Sequence, residues 1–199
     1  MVAYVSASRS EAVTGTVAPA GPPGYGTPNV ANRAISRLYF YWDVRDDGTT
    51  QQIISGRVDF GIDTTMAQAT TVVDKINSTW GGSSTEGTTT ISTTMNLRVG
   101  AQVLMPNADT LYFNICTQCH QQGINGYAND IGGNELYIAL SRIATNTVGH
   151  EFAHNLGLQH SANRSGSIVS YDHQINPPND PRSVIYSDRY RLQALYGAR

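Results

Sequence analysis

Residues 150 to 160 read HEFAHNLGLQH: three histidines and a glutamate in eleven positions, with one glycine between the second and third histidine. No other stretch so restricts what the chain can fold into. For His150 and His154 to act together the segment must be helical, because residues four apart share a helix face. For His160 to join them the chain must turn back after that helix. Gly157 permits the turn, since a residue without a Cβ enters the left-handed conformation freely. Three neutral nitrogens gathered this way suit a zinc ion and leave a fourth position open for water. Glu151, beside the first histidine, is then near the ion without having to bind it, and is placed to take a proton. Metal-assisted peptide hydrolysis requires this set of groups.

The rest of the chain sets the frame for that segment. A length of 199 residues suits one domain with a substantial core. Charged residues are 14% of the chain, Lys75 is its sole lysine, and Gly, Thr, Ser and Asn are plentiful. This balance favours an extracellular or periplasmic protein, although no secretory signal is visible in MVAYVSASRSEAV. The net charge of −2 and the lack of a basic run leave no electrostatic footprint for nucleic acid. No stretch approaches the roughly 20 apolar residues of a membrane-spanning helix, so no membrane partner is expected.

Composition divides the chain in two. Residues 1–34 include APAGPPGYGTPN and read as an extended Pro/Gly-rich arm, and residues 35–199 read as the folded domain. In RLYFYWDV, Leu38, Phe40, Trp42 and Val44 alternate as in a strand. From Asp63 to Trp80 the period lengthens. Met66, Ala69, Val73, Ile76 and Trp80 mark an amphipathic helix, with Asp63 as its expected cap and Gly81-Gly82 as its stop. TTTISTTMNLRV, DTLYFNIC and ELYIAL read as further strands. A second helix is expected over about Thr145 to Leu156, and a last one over Ser187 to Tyr196 with Leu192, Leu195 and Tyr196 on its apolar side. The fold class is therefore α+β, with four strands legible in the sequence and three helices.

HEFAHNLGLQH fits the motif HExxHxxGxxH at every specified position, and in this the chain resembles the metzincin zinc peptidases. Ser161, after the third histidine, is similar to the matrixin branch. The element order over residues 37 to 199 is also what that family's catalytic domain would produce, and the resemblance implies a twisted mixed sheet of about five strands with an amphipathic, an active-site and a C-terminal helix. The resemblance implies that His150, His154 and His160 hold zinc and that Glu151 is the general base of an endopeptidase. It also implies a methionine-bearing turn beneath the zinc. The best match is Ser167-Ile-Val-Ser-Tyr171, with Val169 where the family has methionine. Valine is shorter and branched, so a small void under the histidines is expected. Tyr171 resembles a tyrosine that stabilises the oxyanion in the serralysin and astacin branches; a tyrosine with a solvated hydroxyl in a loop is the plainer alternative. Loops of this region hold calcium in matrixins, for which Asn107, Asp109, Asn125, Asn129, Asp130 and Asn134 offer oxygens, though ordinary polar turns account for them equally.

Cys116-Thr-Gln-Cys119-His120 is a separate motif, with the spacing that attaches a c-type haem. The same residues suit a Cys116–Cys119 disulfide or a small metal clip completed by His120. Nothing outside these five residues asks for a porphyrin, so a disulfide or clip is expected. Two functions follow. One is a zinc endopeptidase whose peptide substrate pairs with an edge strand near Glu135 to Leu140. The other is a non-peptidase of the same fold, a haem-carrying or assembly-forming extracellular protein. In either, the arm docks on its own cleft or on a neighbouring subunit.

Overall fold

The computed structural model describes residues 5–7, 38–44, 49–107, 110–119, 121–161, 166–170 and 182–196. Its strands are β1 (Val5–Ala7), β2 (Tyr39–Val44), β3 (Thr49–Gly61), β4 (Gly82–Glu86), β5 (Thr89–Val103), β6 (Leu111–Ile115), β7 (Gly126–Ala128) and β8 (Glu135–Ile138). The helices are α1 (Met66–Trp80), α2 (Asn146–Asn155) and α3 (Tyr186–Tyr196). The architecture is α+β with one mixed sheet, and the sheet has eight strands rather than about five.

β3 organises this sheet. One of its edges runs parallel to β5 from Thr49↔Thr90 to Gly61↔Val103. A strand has only two edges, so β2 and β6 share the other: β2 pairs antiparallel with residues 50 to 55 of β3, and β6 pairs parallel with Val58 to Phe60. β8 continues parallel on β6, and β7 closes that side antiparallel on β8. β4 pairs antiparallel with β5 and β1 with β2. The arm expected over residues 1–34 falls outside the described residues apart from β1. β8 is interior to the sheet, so the edge strand on this side is β7 and not the stretch from Glu135 to Leu140. β7 eludes the alternation rule because three residues are too few to show a period.

β3 itself is hidden in the sequence for a different reason. Its inward positions are Thr50, Gln52, Ile54, Val58 and Phe60, all buried, and two of these are polar. Gln52 donates from Nε2 to the Arg189 carbonyl at 3.0 Å and accepts from the Thr93 hydroxyl at 3.1 Å, so its burial leaves no group unsatisfied. An inward glutamine breaks the apolar alternation that marks a half-buried strand.

α1 packs Ala69, Val72, Val73, Ile76 and Trp80 against the sheet. Met66, expected on that face, is 57% exposed. The cap is Thr65 and not Asp63: the Thr65 hydroxyl accepts from Gln68 N–H while the Gln68 side chain accepts from Thr65 N–H. This reciprocal box satisfies two donors, which a lone aspartate two residues earlier does not. α2 crosses close to α1. The Trp80 indole N–H donates to the Gly149 carbonyl at 3.1 Å, and the Trp80 ring meets Phe152 edge-on at 6.1 Å. A Cβ on Gly149 would lie 2.4 Å from Thr79 Cγ2, so glycine is what lets the two helices approach here. The main core lies between these helices and the sheet, and Leu192 and Leu195 of α3 complete it.

Candidate metal centre

α2 starts at Thr145, whose hydroxyl accepts from Thr147 N–H, and ends in a paired turn. Gly157 N–H donates to the His154 carbonyl and Leu158 N–H to the Ala153 carbonyl, with Gly157 at φ 82°. The left-handed residue expected from the sequence is therefore present, and two of the last helical carbonyls are satisfied by it. Leu158 emerges with its own carbonyl 2.7 Å from His154 Nδ1, and the chain continues to His160.

The three imidazoles converge. His160 Nε2 lies 3.1 Å from His150 Nε2 and 3.1 Å from His154 Nε2, and the candidate ligand atoms of all three fall within 4.8 Å of one another. Two nitrogens bound to one tetrahedral zinc would be about 3.3 Å apart, from the usual zinc–nitrogen bond length. The tautomers follow from chemistry. His150 Nδ1 is 2.6 Å from the Ile168 carbonyl and His154 Nδ1 is 2.7 Å from that of Leu158; a carbonyl only accepts, so each Nδ1 bears the proton. Both Nε2 atoms then present lone pairs toward His160. A proton on His160 Nε2 satisfies only one of them, whereas a cation at the centre satisfies all three. The donor set thus fits a metal ion held by three neutral imidazoles, each helical one oriented from behind by a main-chain carbonyl.

Burial keeps these groups neutral. His150 is pushed down to about 3 by desolvation, reinforced by His154 and Arg182, and His154 is pushed down to about 4 chiefly by desolvation. Glu151 is 9% exposed, and burial raises its carboxyl to about 7 against the opposing pull of Ala128 N–H and Arg182. Its Oε2 accepts from the Ala128 N–H of β7 at 3.2 Å. The glutamate is thereby tied to the sheet edge. Arg182 Nη1 lies 3.0 Å from His150 Nδ1. Because that nitrogen already donates to Ile168, the guanidinium acts on it as a charge.

The turn beneath the site runs through Ser167, Ile168, Val169 and Ser170, of which the first three are fully enclosed. Val169 occupies the expected place: its carbonyl accepts from Ser161 N–H, next to His160, while the preceding Ile168 carbonyl holds His150. Asp188 of α3 fixes this turn from below. Its carboxylate accepts from the Ser167 hydroxyl at 2.7 Å, from Ile168 N–H at 3.3 Å and from Ile185 N–H at 3.1 Å. On the other flank, Gly132 N–H donates to the His154 carbonyl, and the Asn155 amide donates to the carbonyls of Gly133 and Glu135.

Tyr171 and His120 lie outside the described residues, as does Asp109. Cys116 and Cys119 are joined in a disulfide, so both sulfurs that a haem would need are taken up by each other. Among the proposed calcium donors, Asn125 Oδ1 accepts from Arg142, Asp130 Oδ1 accepts from Ile131 N–H, and the Asn134 amide donates to the carbonyls of Asn107 and Thr110. These contacts brace loops. Sequence reasoning did not reveal Leu158, Ile168 and Ala128, because they act through main-chain atoms that carry no residue signature. Asp188 had one faint signal, a carboxylate in a helix that otherwise offers arginines and tyrosines.

No protein-family model and no curated protein matches the chain.

Proposed function

We propose that the chain is a zinc-dependent endopeptidase of the metzincin kind, with His150, His154 and His160 as ligands and Glu151 as general base. The convergence of three Nε2 lone pairs, two of them aimed by main-chain carbonyls, carries this reading. Zinc bound there supplies Lewis acidity, which makes a peptide carbonyl easier to attack and water easier to deprotonate. Glu151 receives the proton. Burial raises its carboxyl in the metal-free site, which strengthens it as a base for the proton that is taken and then handed to the leaving amine. Ala128 N–H holds one carboxyl oxygen and leaves the other to carry that proton. The substrate strand pairs with the outer edge of β7, whose inner edge is taken by β8, and so lies along the strand that anchors the base.

Metal analysis and peptide cleavage, measured together, test this. Glu151→Gln is expected to retain zinc and to lose cleavage by about two orders of magnitude or more, the scale of a lost general base. His154→Ala is expected to lose zinc and activity together. Wild-type protein that takes up no zinc from excess would remove the proposal. A Glu151→Gln variant as active as wild type would remove the role assigned to the base.

A further inference from the structure

The CxxCH string remains outside the metal centre. Cys116 follows β6 and is bonded to Cys119, and the pair packs with Ala139 against Tyr137 of β8. Two observations set this bond apart from a structural staple. The loop it closes has other support: Gln121 and Gln122 N–H donate to the Gln118 carbonyl, Gln122 and Ile124 N–H to that of Cys119, and Cys116 N–H to that of Ile138. A cross-link between residues this close in sequence also restricts the unfolded chain least. The second observation is that the two sulfurs are unequal. Cys119 is 0% exposed and Cys116 is 9% exposed, and the Cys119 N–H points at Cys116 Sγ from 3.0 Å. An N–H aimed at a sulfur stabilises a thiolate there, which favours Cys116 as the leaving group when a mixed disulfide on it is resolved.

We propose that Cys116–Cys119 is a reversible thiol–disulfide exchange site for small thiols such as glutathione, whatever the reaction at the histidines. An incoming thiolate attacks Sγ of Cys116, the less enclosed of the two residues, and forms a mixed disulfide there. The electron pair of the broken bond leaves on Cys119, which takes up a proton. A second thiolate attacks the outer sulfur of the mixed disulfide and releases Cys116 as a thiolate facing the Cys119 N–H. Two small thiols end as one small disulfide, and the protein disulfide ends as two thiols. Because the loop keeps its main-chain hydrogen bonds, the exchange proceeds in the folded protein.

The test is a redox titration of the full chain in mixtures of reduced and oxidised glutathione, quenched with acid, alkylated and weighed. Both cysteines are expected to alkylate in reduced-rich mixtures and neither in oxidised-rich ones, with circular dichroism unchanged throughout. In Cys119→Ser, Cys116 is expected to take up glutathione; in Cys116→Ser, Cys119 should do so about tenfold more slowly or less, given its enclosure. A bond that withstands millimolar reduced glutathione and opens only as the protein unfolds overturns the proposal. So does faster uptake at Cys119. The wild-type titration stands even if a variant fails to fold.

Discussion

Each helical histidine gives its Nδ1 proton to a carbonyl and keeps Nε2 bare, and this arrangement has a cost in acid. With zinc removed by a chelator, His150 and His154 resist protonation down to about 3 and about 4, against 6.5 in the unfolded chain. Their contribution to stability is complete above pH 6.5 and is lost as pH falls toward those values. Glu151 works in the opposite sense. Its folded value of about 7 lies above the ordinary 4.5, so it adds stability as pH falls from 7 to 4.5. Near pH 5.5 these three groups carry about two protons in the unfolded chain against about one in the folded protein, so acidification through this range favours unfolding. Urea midpoints in chelator should therefore fall on acidification. A midpoint that holds or rises from pH 6.5 to 4.5 would show that the imidazoles are not buried as described. At this scale the sequence shows which side chains gather at the candidate site, since histidine and glutamate declare themselves by type. It does not show what orients them, because Ile168 and Leu158 contribute carbonyls that any residue has.

Two contacts between elements hold the site in place. Gly149 is where α1 and α2 meet, and a methyl there would stand 2.4 Å from Thr79 Cγ2 and 3.1 Å from Thr79 Cβ. Helix propensity favours Gly149→Ala by about 1 kcal/mol, yet the overlap should outweigh it and leave the protein about 1–3 kcal/mol less stable. Adding Thr79→Ala should restore part of the loss; a stabilised single variant would contradict the packing. Asp188 joins α3 to the turn under His150. Asp188→Ala strands three donors and is expected to cost about 3 kcal/mol or more, and to weaken zinc binding about 10- to 100-fold. Asp188→Asn should recover most of both, because its oxygen can face the two N–H groups while its NH2 donates to Ser167. Calorimetry and zinc titration read these outcomes, and unchanged zinc affinity in the alanine variant would separate α3 from the site. α1 was legible in the sequence because its apolar positions recur with the helical period, although it begins after Thr65 rather than at Asp63. β3 was not, because Thr50 and Gln52 point inward and are satisfied by partners remote in sequence, Thr93 and Arg189.

Across the whole molecule, contacts of very different reach coexist. The first and third histidines lie ten positions apart, whereas the ladder at the centre of the sheet brings together groups 41 positions apart, as in the bond from Thr93 to Gln52. Pairings of long reach form slowly, because the chain must close a large loop before any contact compensates for it. If the proposed centre takes zinc, the histidine segment is expected to collect it before the sheet is formed, because its ligands lie so close in sequence. Zinc added at the start of refolding is then expected to trap misplaced ligand sets and to lower the yield, whereas zinc added after the sheet has formed should raise the melting temperature without that loss. Equal yields in both orders of addition would show that the sheet assembles before the histidines can compete. For a site encoded so locally on a scaffold assembled so globally, metal binding at the proposed centre would make the timing of metal supply part of how the protein matures.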